Sequence, residues 1–297
     1  MPIIAEHVSL DYRLAGQSKR AIKKQQAQAP REGAAVRDLS LTIEAGEFLG
    51  IIGHTGSGKS TLVQLLCGLL QPTAGRITVD GLDLADIAER RQARPLVGVV
   101  FQYPEYQLFE ETVLADVSFG PKNMGLSPEE QTERARKALT MVGLDPDVFG
   151  SKSPFDLSGG EKRRAAIAGI LAMEPRYLAL DEPMAGLDPR GRKQILAMLE
   201  ELRQTTGCAV IMVSHSMDDI VRCADRVLVM NGGRTMMLDT PGKVFSMGDQ
   251  LRNMQLQTPQ AVQLAELLRA RGMDIPAEAV RTDEVAAAVL RCMEVGR

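Results

Sequence analysis

The run Gly53-His54-Thr55-Gly56-Ser57-Gly58-Lys59-Ser60 fits the spacing G-x-x-x-x-G-K-[ST] and follows a short apolar stretch. Its chemistry is phosphate binding. Glycines let the backbone wrap closely around phosphates with their N–H groups pointing inward. A helix beginning at Lys59 adds its positive end. Lys59 is expected to reach the β- and γ-phosphates of a nucleoside triphosphate, and Ser60 to hold Mg²⁺. Gly53, His54, Thr55, Gly56, Ser57, Gly58, Lys59, Ser60 and Thr61 are therefore the nucleotide-binding candidates. A second constellation is Tyr177-Leu178-Ala179-Leu180-Asp181-Glu182, where an apolar run ends in two acids. Asp181 is expected on the metal side of the phosphate site. Glu182 is expected to polarise an attacking water as a general base. Buried strands often end in an acid, so this pair gains its meaning from the glycine-rich loop upstream.

A third stretch, Leu157-Ser158-Gly159-Gly160-Glu161-Lys162, precedes a helical run. Ser-Gly-Gly opening a helix makes another phosphate-facing nest. A chain with a phosphate cradle at 53–60 needs no second one for the same nucleotide. The plainer alternative is an N-cap followed by flexible glycines.

These groups need elements to position them. Ala5 to Leu14 and Val36 to Ile43 read as strands. Phe48 to Ile52, Tyr177 to Leu180 and Ala209 to Val213 are short apolar runs ending in polar chemistry. They read as buried parallel strands whose C-terminal ends carry the site. Arg76 to Val79 and Leu96 to Phe101 are further strands. Arg226 to Met230 and Thr235 to Leu238, joined by Asn231-Gly232-Gly233, read as a hairpin. Ser127-Pro128-Glu129-Glu130 predicts a capped helix start and Gly143 its end. Residues 15–34 carry Lys19, Arg20, Lys23, Lys24 and Arg31 against Glu32 and read as a mobile basic loop, a solvated insertion or a contact for anionic lipid heads. After Pro241 the pattern is helical, with starts at Thr258-Pro259 and Thr282-Asp283. Val262, Leu264, Leu267, Leu268, Val285, Val289, Leu290 and Met293 fall at helical spacing. They pack on the chain's own core or on a second subunit.

Composition narrows the function class. A net charge of −3 and an aromatic content of 4% without Trp argue against nucleic acid as a partner, which needs basic surface or stacking platforms. Cys67, Cys208, Cys223 and Cys292 form no C-x-x-C pair, which fits a reducing compartment and disfavours zinc. No run approaches the roughly 20 apolar residues that cross a bilayer. Met1 to Leu10 lacks the pattern of a signal peptide. The expected location is cytoplasmic, with membrane contact through a partner.

With its motifs in this order, the chain resembles the ABC (ATP-binding cassette) ATPases over roughly residues 3 to 245. Leu157 to Lys162 is similar to that family's signature sequence. The resemblance implies that Ser158, Gly159, Gly160 and Glu161 act on ATP bound to a partner subunit, with two nucleotides sandwiched head to tail. Gln102 matches the Q-loop glutamine, implied to sense Mg²⁺ and the transport partner. Gly186-Leu187-Asp188 matches the D-loop, and His215 the switch histidine that contacts the γ-phosphate. Tyr12 is the implied aromatic on adenine. The implied catalytic set is thus Glu182, His215 and Gln102, and the metal set Ser60, Gln102 and Asp181.

The implied fold is α/β: a P-loop NTPase of the ABC nucleotide-binding type, with a RecA-like core, an antiparallel β subdomain and a helical subdomain at about 103–172. The ATPase domain spans 1–240, and 241–297 is a C-terminal helical extension.

Val100-Phe101-Gln102-Tyr103-Pro104-Glu105-Tyr106-Gln107-Leu108-Phe109 and Val117 to Asn123 are more restrictive. They resemble the ATPase subunits of energy-coupling factor (ECF) importers of vitamins and transition-metal ions, most closely the second of the paired ATPases. Gly53-His54-Thr55, Ser153-Pro154-Phe155 and Met184 to Arg192 point the same way. Met184 replaces a more usual Thr, and Glu161-Lys162 a more usual Gln-Met, without removing a catalytic group. The implied cofactors are ATP and Mg²⁺. The implied partners are a second ATPase (a heterodimer, with a homodimer as alternative), a transmembrane T component and a substrate-binding S component, at the cytoplasmic face of the cell membrane. Residues 103–110 are the candidate groove wall for the T component, or in part packing of the helical subdomain. Other importers and non-transport ABC ATPases are the competing readings. Repair ATPases need a long coiled coil between Ser60 and Ser158, translation factors need two cassettes, and a fused regulatory domain needs more than this short helical tail.

Overall fold

The structure, a computed structural model, describes residues 1–14 and 33–295. Nearly all of the basic segment read at 15–34 lies outside the described residues.

Two sheets organise the molecule. A four-stranded antiparallel sheet has the order β2-β1-β4-β5, with β1 Ile3–Leu10, β2 Val36–Ile43, β4 Ala74–Val79 and β5 Leu82–Asp83. A six-stranded sheet has the order β10-β9-β3-β8-β7-β6. Its strands are β3 Phe48–Ile52, β6 Val97–Val100, β7 Tyr177–Asp181, β8 Ala209–Val213, β9 Arg226–Asn231 and β10 Arg234–Asp239. All its pairings are parallel except the β9–β10 hairpin. Every residue of β3, β7 and β8 is buried, because both faces of the central sheet are covered. This is the expected α/β architecture.

Register brings the chemistry together. Ile51 pairs with Val213, Asp181 with Val213, and Val100 with Leu180. The C-terminal ends of β3, β8, β7 and β6 therefore lie side by side. They lead into the glycine-rich loop, His215, Asp181-Glu182 and Gln102 respectively. A crevice outside the carboxyl ends of parallel strands is where this class of sheet binds ligands.

The helix Lys59–Leu66 buries Leu62, Val63, Leu65 and Leu66 in a core shared by both sheets. A separate set of helices, Val113–Asn123, Pro128–Met141, Pro146–Phe149 and Gly159–Leu171, packs together through Val117, Ala138, Leu139 and Ala168. The predicted cap is present: Ser127 Oγ accepts from Glu130 N, and Glu130 Oε2 accepts from Ser127 N. The helix Pro189–Thr206 stops at Gly207.

Several expectations shift. The first strand ends at Leu10 rather than Leu14. Asp11 stops it, because its carboxylate takes the Arg13 N–H at 3.0 Å and its carbonyl takes Leu14 N–H at 2.9 Å, which closes a turn around Tyr12. A helix at Ile87–Ala93, unmarked by apolar periodicity, is started by Asp86, whose Oδ1 accepts from Ala88 N and Glu89 N. The tail is four helices, Pro241–Ser246, Gly248–Asn253, Gln260–Ala270 and Thr282–Val295. Val262 and Val280 join the main core, and Arg281 Nε donates to Val221 O at 3.3 Å. Ala265, Ile275, Val285 and Ala288 make a small core of their own. Leu264, Leu267, Leu290 and Met293 of the predicted stripe are exposed instead.

Candidate functional site

The glycine-rich loop is fixed from two sides. A Cβ at Gly53 would collide with the Met230 carbonyl oxygen, and one at Gly58 with that of Ala35. Gly58 also has φ +100°, so a side chain there is excluded both sterically and conformationally. The β9–β10 turn closes over the loop: Gly233 N donates to Ser57 O at 3.1 Å, and Gly233 O accepts from Arg37 N at 2.7 Å. The His54 ring lies between Thr55 O, 2.6 Å from Nδ1, and Asn231 Oδ1, 2.9 Å from Nε2. The helix Lys59–Leu66 has no side-chain cap and no acid in its first turn, which leaves its N-terminal N–H groups and positive end for an anion.

Thr55, Gly56, Gly58, Lys59, Ser60 and Thr61 line a cleft of about 490 Å³ together with Tyr12, Ala35, Gln102, Asp181, Glu182 and His215. Gly53, His54 and Ser57 shape the loop from behind. The Tyr12 hydroxyl is 3.0 Å from Thr61 Oγ1, so the turn that shortens β1 brings this exposed aromatic ring to the rim of the phosphate site.

Inside the cleft, Lys59 Nζ donates to Gly53 O at 2.8 Å and to His54 O at 3.0 Å. Burial lowers its pKa, opposed by the negative charges of Glu182 and Asp181. A buried ammonium held only by carbonyls and facing two carboxylates is a site waiting for a polyanion and a cation together. Ser60, Asp181 and Gln102 offer hard oxygen donors to the latter. Among the described residues there is no cluster of three or more His, Cys, Asp or Glu side chains suited to caging a metal. The donor set therefore fits a metal that keeps waters and phosphate oxygens in its shell, as Mg²⁺ does.

Glu182 sits at φ +55°, a conformation that costs a non-glycine residue about 1–3 kcal/mol. It is held there by its own N–H, which donates to Val213 O at 3.1 Å, and by its carbonyl, which accepts from Ala185 N at 3.1 Å. Its Oε1 is 3.1 Å from His215 Nε2, close enough for an ion pair, yet the buried oxygen accepts no well-aligned hydrogen bond. Burial raises the Glu182 pKa, with the Asp181 charge adding to the rise and His215 and Lys59 opposing it. To serve as the expected general base Glu182 must be ionised, so that role predicts a loss of activity as pH falls through this raised pKa. The acid limb of kcat/KM is expected above the ordinary carboxylate pKa of about 4.3. A pH profile whose acid limb lies at or below that value would contradict the assignment.

The remaining motif residues do not line the cleft. Ser158 caps the helix Gly159–Leu171 in a reciprocal box with Glu161, and Asp188 caps Pro189–Thr206 by accepting from Gly191 N at 2.7 Å. Ser158, Gly159 and Asp188 are exposed. Sequence reading missed Ala35 and Asn231 as parts of the loop's support, because turn chemistry alone marked Asn231. It also missed Arg163, the buried guanidinium beside Glu105.

Residues 36–185 match the family described as "ABC transporter". The chain is 52% identical over 290 residues to the energy-coupling factor transporter ATP-binding protein EcfA2 of Symbiobacterium thermophilum, covering 97% of this chain and 96% of that protein. It is 50% identical over 262 residues to the EcfA2 of Clostridium perfringens, covering 88% and 92%. Among solved structures it is similar to cbiO1 of Clostridium perfringens, described as part of the ABC transporter complex cbiONQ. That likeness has a TM-score of 0.71 and 34% identity, over 89% of this chain and 98% of that one. The bacterial ABC transporter cassette MJ0796, solved as a dimer, matches with a TM-score of 0.66 and 28% identity, over 80% and 98%.

Proposed function

The chain belongs to the ABC transporter ATPases, among the ATP-binding subunits of energy-coupling factor importers, and we propose that it hydrolyses ATP in a site shared with a second ATPase subunit. The observation that supports this is the division of the motifs. Lys59, Asp181, Glu182, His215 and Gln102 converge on one cleft, while the Ser158–Gly160 nest and Asp188 lie outside it. A second cassette facing the first brings its own nest to the γ-phosphate in this cleft, and this chain's nest serves the partner's site. The partner is a different ATPase of the same family, with a second copy of this chain as the alternative.

Within the site, Lys59 neutralises the β- and γ-phosphates, Tyr12 packs on the base, Glu182 takes the proton of the attacking water, and His215 contacts the γ-phosphate. Ser60, Gln102 and Asp181 would hold Mg²⁺, which would supply neutralisation of the charge that develops on the phosphates. Loss of the γ-phosphate removes the contacts between the halves, and this differential contact does the mechanical work.

Among the described residues, no helix is long and apolar enough to cross a membrane. Membrane coupling thus falls to partners. A groove of about 700 Å³ next to the Q-loop suits the T component, with a separate S component choosing the vitamin or metal ion. Phe109 and Phe119 meet edge to face at 4.9 Å in its wall, both exposed, with Arg91, Arg94 and Asp116 alongside. An aromatic floor with charges beside it fits a helix carrying apolar and charged side chains. The ATPase unit spans 1–240 at the cytoplasmic membrane face, and the exposed tail residues Leu264, Leu267, Leu290 and Met293 contribute to pairing.

Co-purification from gently solubilised native membranes tests the reading. A second ATPase, one polytopic membrane protein and one or more small membrane proteins are expected. Recovery alone in the soluble fraction, or with ribosomes or nucleic acid, would leave the ATPase site standing and remove the transporter assignment.

A further inference from the structure

Arg163 lies one turn inside the helix that Ser158 caps, and its side chain is only 4% exposed. Its guanidinium faces two segments at once. Nε donates to Glu105 Oε2 at 3.1 Å and Nη2 to Glu105 Oε1 at 2.8 Å, a bidentate fork. Nη1 donates to the carbonyls of Pro183 at 3.2 Å and Ala185 at 2.5 Å. Four hydrogen bonds occupy most of the five donors of an arginine, and no other side chain has that geometry.

The two segments have different work. Glu105 belongs to the short 3₁₀ turn Pro104–Gln107, which Tyr103 alone separates from Gln102 and which leads to Leu108 and Phe109 of the groove. Tyr103, at φ +57°, starts that turn, and its ring centroid is 5.9 Å from the Arg163 guanidinium carbon. Pro183 and Ala185 belong to the turn that Glu182 opens, and Ala185 N is the donor that holds the Glu182 carbonyl. One buried cation thus ties the groove-side turn to the turn that orients the general base. Burial works against ionisation of Glu105, but the Arg163 hydrogen bonds, a backbone hydrogen bond and the Arg163 charge together outweigh it and hold the carboxyl below its usual range.

We propose that Arg163 is a positioning residue that couples occupancy of the groove beside residues 103–107 to the placement of the Glu182 carboxylate. This rests on the reading that a membrane partner docks in that groove. A helix docked against Gln107, Leu108 and Phe109 shifts the turn Pro104–Gln107, and Glu105 moving with it pulls on the same guanidinium that fixes Pro183 and Ala185. The Glu182 turn then moves with it, while the phosphate loop, which Arg163 does not touch, stays in place.

The test uses the assembled transporter in proteoliposomes, together with the detergent-solubilised ATPase pair. Arg163→Lys keeps the charge but offers one point donor set, so it can serve Glu105 or the carbonyls and not both. It is expected to lower kcat at least about tenfold with KM for ATP changed by less than about twofold, because misplacing a base by an ångström or less acts on the chemical step. It is also expected to lower the number of substrate molecules imported per ATP hydrolysed. A merely structural role would reduce the active fraction, lowering both rates together and leaving that ratio unchanged. Glu105→Gln, which preserves shape, is expected to reduce the import-to-ATP ratio about threefold or more, by weakening one end of the link. If Arg163→Lys fails to assemble, Glu105→Gln decides alone. Wild-type kcat and import ratio in either assembled variant overturn the proposal. If the wild-type chain captures no membrane partner, the docking reading fails instead. The single-turnover rate constant in the ATPase pair, which a lower active fraction leaves unchanged, then decides whether Arg163 positions Glu182.

Discussion

Glu182→Gln is expected to lower kcat for ATP hydrolysis by about 10²–10⁴-fold, the range contributed by a positioned general base, while ATP stays bound. The Glu182 carboxylate lines the cleft with the attributes of a base. It is largely buried, with its pKa raised chiefly by that burial, and its Oε1 takes no well-aligned hydrogen bond. Gln keeps the size and an oxygen acceptor but cannot take up a proton at neutral pH. The substitution also removes a negative charge beside Lys59 and Asp181. A site that must hold a triphosphate loses repulsion, so ATP affinity should hold or rise. Because the γ-phosphate is then not cleaved, the paired cassettes should accumulate closed around nucleotide. The check is single-turnover hydrolysis together with size-exclusion chromatography in Mg²⁺-ATP. Wild-type turnover would transfer the role of base to another group. A lost turnover with no retained nucleotide would mean that Glu182 supports binding instead.

Why this site was readable in sequence, and where it was not, follows from how each part is built. The loop 53–60, the acids 181–182 and the nest 158–160 are local: each is a contiguous stretch whose backbone shape its own residues impose. The strands were readable because β3, β7 and β8 are buried on both faces and therefore continuous in apolar character. Boundaries failed where a side chain competed with the ladder, as Asp11 does by closing a turn that ends the strand four residues before the predicted end. The helix Ile87–Ala93 was missed because it buries only Ala93 and shows no apolar face, while its start rests on the Asp86 cap. Long-range partners left no pattern at all. Asn231 meets His54 across 177 positions, and Arg163 meets Glu105 across 58. Neither pairing follows from periodicity, since the first depends on which strands lie side by side and the second on how a helix packs against a turn.

The tail shows the same limit in a different form. Its apolar stripe was legible, and the choice between packing inward and pairing outward was not. Val262 and Val285 are buried within the chain, whereas Leu264, Leu267, Leu290 and Met293 stay exposed on the same helices. Spacing at 3.6 residues identifies a face but not its width, and only packing reveals that these helices carry an inner and an outer apolar strip.

Lys59→Ala is expected to weaken ATP binding by about 10²-fold, with a much smaller effect on AMP. Lys59 Nζ is the buried cation of the phosphate loop, and its present acceptors are the carbonyls of Gly53 and His54. Burial already depresses its pKa against the pull of Asp181 and Glu182, so the ammonium is poorly compensated without an anion. Phosphate oxygens supply that compensation. A hydrogen bond to a charged group contributes about 1.5–3 kcal/mol, and 1.4 kcal/mol is a factor of ten in affinity. The proposed contacts to both the β- and γ-phosphates predict graded losses, largest for ATP, smaller for ADP and near zero for AMP. Titration of the three nucleotides by calorimetry reads this directly. Equal losses for all three would mean that the loop itself had collapsed, because Ala also removes the donor that holds Gly53 and His54. ATP affinity within twofold of wild type would show that Lys59 does not reach the phosphates. The two substitutions also test each other. Glu182→Gln should retain nucleotide and Lys59→Ala should lose it, and general destabilisation of the fold cannot move nucleotide retention in opposite directions.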